Sequence, residues 1–271
     1  MDYAGSISME KSYDGPAIIR QSSNGDNTAE LIAVNVQNPD VAAEKPSEAI
    51  FDALQTIEVA IGAQGFALAP SGRKFFRRVG DFTFEINIQS DRSNVAGQRA
   101  AICVHTAVYS KSLTAWRKKH SSDWIRPKAT LPIPAYVNQL GYLCDPSAWV
   151  EWDFANKVTR HLIADDLIAS IRKGALPLFK VFESSPEEIA AIFDQDWPSP
   201  EGILSYLLST GRVALAKETL QNYLDKRHKF RSDFGKSYHQ FLEQGLPPYR
   251  AAMSHDLAAF AVATGLTWNS S

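Results

Sequence analysis

The sequence predicts an α+β protein. An N-terminal helix and an antiparallel sheet of three to four strands form a two-layer sandwich, followed by an all-helical C-terminal extension. Three observations carry this reading. Ile50, Leu54, Ile57 and Ile61 recur at helical spacing. Phe82, Phe84, Ile86 and Ile88 then alternate with Thr83, Glu85, Asn87 and Gln89, the period of a half-buried strand. Past residue 155 the apolar residues return to helical spacing, and the helix-start signal Ser-Pro-Glu occurs twice, at Ser185 and Ser199.

Residues 1–45 are rich in Ser, Asn, Asp, Gly and Ala and read as a mobile arm, with one short candidate strand at Leu31–Val36. The first helix opens at Pro46-Ser47-Glu48, which supplies a cap and an acidic first turn, and stops near Gly62 and Gly65. A strand is expected at Arg73–Arg78, a hairpin turn at Val79-Gly80-Asp81, and strands at Phe82–Gln89 and Arg99–Tyr109. In the last of these Ile102, Val104 and Val108 should face the core, leaving Cys103, His105 and Tyr109 on the other side. A short helix follows at Lys111–His120. Residues 121–147 hold Pro127, Pro132, Pro134 and Pro146 and read mostly as loop. A fourth strand is expected at Ala148–Phe154, with Trp152 inward and Trp149, Glu151 and Asp153 outward.

The remainder reads as helices. The first runs from Val158 to Lys173 and ends at Gly174. A second starts at Ser185-Pro186, and a third runs from Ser199-Pro200 to Gly211. A fourth covers Arg212–Arg227 and makes a helical hairpin with the third. Two more are expected near 231–244 and 249–263. The chain thus divides into an arm at 1–45, an α+β domain at 46–195 and a helical extension at 196–271.

The 271 residues are 45% hydrophobic, enough for one large core. The formal net charge of −2 supplies no global field to recruit nucleic acid or acidic lipid. Two cysteines, Cys103 and Cys144, are too few for a disulfide framework or a structural zinc site and are expected to be reduced core thiols. No apolar stretch approaches 18 residues, so no membrane contact is expected, and Met1–Ser8 lacks the basic and apolar pattern of a secretory signal. Phosphate-binding, dinucleotide-binding and serine-hydrolase fingerprints do not occur. No cofactor and no metal is expected.

The candidate binding site is the polar face of the sheet: Arg77, Glu85, Asn87, Gln89, His105, Tyr109, Trp149, Glu151 and Asp153. Carboxylates beside a histidine can perform acid–base chemistry, because environment tunes their pKa values toward neutrality. The plain alternative is a solvated sheet face. A restriction-type nuclease would need a lysine where Glu85-Ile86-Asn87 has none. His161 and Asp165 lie one helical turn apart, but two ligands do not make a metal site. Three basic clusters lie among aromatics or follow a helix: Arg73, Lys74, Arg77 and Arg78; Arg117, Lys118, Lys119, Arg126 and Lys128; and Lys226, Arg227, Lys229 and Arg231.

Several segments together resemble the bacterial DUF4304 family over roughly residues 47–195: a helix leading to Gly65-Phe66, the basic-aromatic Arg73-Lys74-Phe75-Phe76-Arg77-Arg78, the strand ending Asn87-Ile88-Gln89, Val104–Tyr109, and Leu176–Phe182. The resemblance implies a fold and a bacterial cytoplasmic setting, and no activity. The expected function is non-enzymatic binding of a protein partner, with a defence or toxin-neutralising role as an analogy from similar small domains. Two alternatives stand beside it: a hydrolase using Glu85 and His105, and a nucleic-acid binder using the basic-aromatic clusters.

Overall fold

Apolar periodicity sets the elements in order along the chain. The computed structural model describes residues 43–120, 122, 124, 132–192, 200–248 and 253–268. The expected arm at 1–45, with its candidate strand at Leu31–Val36, lies outside the described residues but for its last three. Helix α1 spans Pro46–Gly62, with proline in its first turn, where a missing N–H leaves no bond unmade. Its cap is Lys45 rather than Ser47, and the Glu48 carboxylate accepts the Lys45 N–H at 3.3 Å. Ile50, Leu54, Ile57 and Ile61 are all buried, as their spacing requires.

The sheet contains β1 (Ala67–Leu68), β2 (Lys74–Val79), β3 (Phe82–Ser90), β4 (Ala101–Ser110), β5 (Tyr136–Gln139) and β6 (Glu151–Asp153). The order is β1-β2-β3-β4-β5, all antiparallel, and β6 pairs with the part of β4 that β5 leaves free. The three-to-four-strand expectation becomes six among the described residues because β1 and β5 are two and four residues long, too short to show a period. β5 lies between prolines in a stretch that composition marks as loop. Its ladder with β4, from Val108↔Tyr136 to His105↔Gln139, makes it a strand.

α2 (Lys111–Lys118) follows β4 directly. Ser110 caps it by accepting the Leu113 N–H at 3.0 Å. Asp81, in the β2–β3 turn, accepts from the Ser112 N–H at 2.9 Å, the Ser112 hydroxyl at 2.8 Å and the Ser110 hydroxyl. This acid therefore holds the start of a helix.

Helix α3 (Arg160–Ser170) does not stop at Gly174. It passes through a wide π-type turn at Ile171–Ala175 into α4 (Leu176–Glu183). Pro177 has no N–H to donate to the carbonyl four residues back, and a wider turn accommodates that missing bond. Gly174 is there for closeness: a Cβ would lie 2.9 Å from the Leu143 Cβ and 3.3 Å from the Cys144 sulfur. The helices α5 (Pro186–Ala191), α6 (Glu201–Ser209), α7 (Val213–Asp225), α8 (His228–Gln244) and α9 (Met253–Thr264) follow. Gly211, at φ +75°, turns the α6–α7 hairpin where the sequence places it.

The helices meet the sheet on one side. Phe84 of β3 lies 4.8 Å from Phe179 of α4 between ring centres, and Phe82 lies 5.6 Å from Phe182 and 5.3 Å from Tyr206 of α6. The C-terminal helices thus share the sheet's core. Arg160, 7% exposed, ties α3 to α1 through Glu44 at 2.5 Å and Asp52 at 3.0 Å, and donates to the Phe154 carbonyl at 2.9 Å.

Two glycines of opposite surroundings test this packing. A Cβ on Gly202 would sit 2.2 Å from the Ala135 carbonyl oxygen, whereas nothing lies within 4 Å of one on Gly62. Gly202→Ala should destabilise by about 1–3 kcal/mol. Gly62→Ala should stabilise by about 0.5–1 kcal/mol, since helical glycine carries excess unfolded-state entropy. Denaturant unfolding of both variants reads the two signs.

Candidate functional site

The β3–β4 register decides which side chains share a face. Thr83 lies opposite Tyr109, Glu85 opposite Ala107, Asn87 opposite His105, and Gln89 opposite Cys103. Cys103 in turn faces Glu151, and Ala101 faces Asp153. The outer face therefore brings together Glu85, Asn87, Gln89, His105, Tyr109, Glu151 and Asp153. Trp149 joins them from the chain leading into β6, its ring 6.0 Å from His105 and 6.4 Å from Tyr142. Trp152 is buried on the inner side, as its alternation requires, and its indole N–H donates to Asp166 at 2.9 Å.

Arg77 does not belong to this face. It lies opposite Phe84, a core residue, so alternation turns it inward. Its guanidinium sits over Phe66 at 5.2 Å and Phe84 at 5.1 Å and is paired with Glu183 of α4. The β2 residues that do face outward are Lys74, Phe76 and Arg78. Arg117 is also drawn inside, where it donates to the Ile133 carbonyl at 3.0 Å. Arg126 and Lys128 lie outside the described residues.

The acid and the histidine on the outer face are engaged separately. Glu85 is nearly buried and accepts the Lys74 ammonium at 2.5 Å. His105 stands diagonal to it, across from Asn87, and no hydrogen bond joins the two among the described residues. Burial pushes the His105 imidazole below the usual histidine range, which favours its neutral form. Burial also raises the Cys103 thiol, so that sulfur is a poor nucleophile. Tyr109 is raised by burial and by the nearby Glu85 charge, and its phenol stays protonated.

The acids of β6 have structural tasks. Asp153 accepts the backbone N–H groups of Ala100 at 2.8 Å and Ala155 at 3.0 Å. Glu151 accepts Arg99 at 2.7 Å and the Trp149 indole at 3.3 Å. Asp91 holds the same Arg99 at 2.6 Å, so one guanidinium bridges the β3–β4 loop to β6. His161 and Asp165 are exposed on α3. Among the described residues no three His, Cys, Asp or Glu side chains come together as a metal site.

Three contributors escaped sequence reasoning. Tyr142, its ring 6.4 Å from Trp149, and Val137, on β5 opposite Ala107, are about half exposed and stand in the stretch read as loop. Lys111 joins Lys74, Arg78 and Lys118 around one concavity, though the three clusters in the sequence gave no sign that two of them meet.

An antiparallel sheet backed by helices on its inner side, with polar and aromatic side chains on its outer face, defines an α+β protein. Within it, residues 60–181 match the model of the family DUF4304, a domain of unknown function. The match lies inside the 47–195 stretch and covers the sheet, α2, α3 and most of α4. No curated protein matches the chain, and neither does any solved structure.

The Arg99 bridge should be visible in acid. The Ser93 backbone N–H, then Arg99, hold Asp91 down to a pKa of about 2. A folded value below the unfolded one means the contribution is present above about pH 4 and is lost as pH falls toward 2. Asp91→Asn should flatten the fall in Tm over that range relative to the parent, as thermal melts across acidic buffers would show.

Proposed function

We propose that the protein is a non-enzymatic binding protein whose open sheet face engages a partner protein. The observation that carries this is the aromatic cluster on that face. Trp149 is 54% exposed and Tyr142 46%, with Val137 exposed on β5 of the same face and the partly buried His105 supporting the Trp149 ring. Large aromatics held in place by neighbours are typical anchors of protein interfaces, because they bury much area with little loss of side-chain freedom. The Glu151 carboxylate beside Trp149 suits a partner that offers an apolar side chain flanked by a cation.

Glu85 is engaged by Lys74 and makes no hydrogen bond to His105 among the described residues, so neither group activates the other, which favours binding over hydrolysis. A bacterial cytoplasmic setting belongs to the same proposal and rests on the family. The two free cysteines suit a reducing compartment.

A photo-crosslinking residue at position 137 should capture a defined partner that the same probe at Glu218, on α7, does not. Trp149→Ala should weaken that complex by about thirtyfold, the scale of a hot-spot anchor, and leave Tm within a degree or so. Equal capture from positions 137 and 218 would remove the sheet face from the reading.

A further inference from the structure

On the β2 side of the outer face, the sheet and α2 enclose a concavity of about 590 Å³. Its charge is lopsided. Four cations line it, Lys74, Arg78, Lys111 and Lys118, against the single carboxylate of Glu85. Lys74 neutralises Glu85 at 2.5 Å, which leaves three cations over. Among the described residues none of those three has a carboxylate within 4.0 Å. The nearest fixed groups are a carbonyl and a ring: Lys111 donates to the Gly80 oxygen at 2.9 Å, and the Arg78 guanidinium lies 5.1 Å over the Phe76 ring. A stacked guanidinium keeps its N–H edges in plane and available to a planar or tetrahedral anion. The whole chain carries −2, so this is a local feature and not part of a general basic field.

The uncharged lining is equally specific. Thr83 and the protonated Tyr109 phenol add hydroxyls that can donate, while Ala115 supplies an apolar wall. Three cations are more than a single carboxylate needs. They match the double charge and three terminal oxygens of a phosphate monoester. Glu85, already holding Lys74, has a second oxygen to accept a ligand hydroxyl. The volume falls within the range of pockets for small molecules.

We infer that this concavity is a binding site for a small phosphate monoester that also carries hydroxyl groups, of the sugar-phosphate or mononucleotide class. The cations would hold the phosphate, and Glu85 would select for a hydroxylated body. The site is separate from the Trp149 anchor, so partner capture and phosphate binding can fail independently.

Titration calorimetry of the full chain with AMP and with ribose 5-phosphate tests the inference, with adenosine and ribose as uncharged controls. Both phosphates should bind and both controls should not. The double substitution Arg78→Gln with Lys118→Gln should weaken binding by about tenfold or more, as expected for loss of charged hydrogen bonds. Lys180→Gln, which removes one exposed charge from α4, should leave it unchanged. Both substituted lysines and Arg78 are exposed or partnered only by a ring, so circular dichroism and Tm of each variant should match the parent. Trp149→Ala should retain AMP binding. Three results would overturn the inference: no heat from either phosphate at millimolar concentration, equal loss in Lys180→Gln and the double variant, or a single-stranded decanucleotide that binds far more tightly than AMP. The last would indicate a nucleic-acid track.

Discussion

The ladder between β3 and β4 is the constraint on which the rest of the molecule depends. It runs unbroken from Phe82↔Ser110 to Ser90↔Ile102. Side chains of a strand alternate by necessity, so one register assigns every residue of both strands to a face. Phe84, Ile86, Ile102, Val104 and Val108 all fall on the inner side and are fully buried beneath the helices. A slip of one residue would expose these and turn Glu85, Asn87 and His105 into the apolar core, an outcome opposed by both hydrophobic and polar terms. The grouping of the outer face is the complement of a core that cannot be arranged otherwise.

Charge is used in two distinct ways. Arg77, Arg117 and Arg160 are long enough to reach across the core boundary, and each is spent on fixed partners: Glu183 for the first, the Ile133 carbonyl for the second, Glu44, Asp52 and the Phe154 carbonyl for the third. Each guanidinium is held by a partner on another element, so these three act as struts between elements. Arg99 performs the same task nearer the surface by joining Asp91 to Glu151. Arg78 and Lys118 lack such carboxylate partners among the described residues, and their freedom gives the concavity its positive balance.

The outer face is therefore not uniform. Toward β6 it is aromatic and acidic, with Trp149 and Tyr142 supported from below and Glu151 pinned by Arg99. Toward β2 and α2 it is basic and hollow. In the middle the small Ala107 and Cys103 are sunk between larger neighbours, and His105 is kept neutral by partial burial. A surface with two such ends can present a different chemistry to each of two ligands without any rearrangement of the sheet.

How much of this was legible follows from the range of the interactions involved. Alternation is local, so the sequence alone determined the strands at Phe82–Gln89 and Arg99–Tyr109, the inward set led by Ile102, and the shared face of Glu85 and His105. Helical spacing determined α1, the α6–α7 hairpin and the helical extension in the same way, and the Ser185 cap determined the start of α5. The position of Arg77 was readable too: it is one residue out of phase with Lys74, Phe76 and Arg78, but its charge outweighed its period. What only the tertiary structure decided depends on residues far apart in the chain. β5 exists because β4 offers it an edge, and Gly174 is a glycine because Leu143 and Cys144 press against it, not because a helix ends there. The concavity forms because β2 and α2, nearly forty residues apart, converge at one end of the sheet. No local period encodes a meeting of that kind, since it is set by packing the core beneath it.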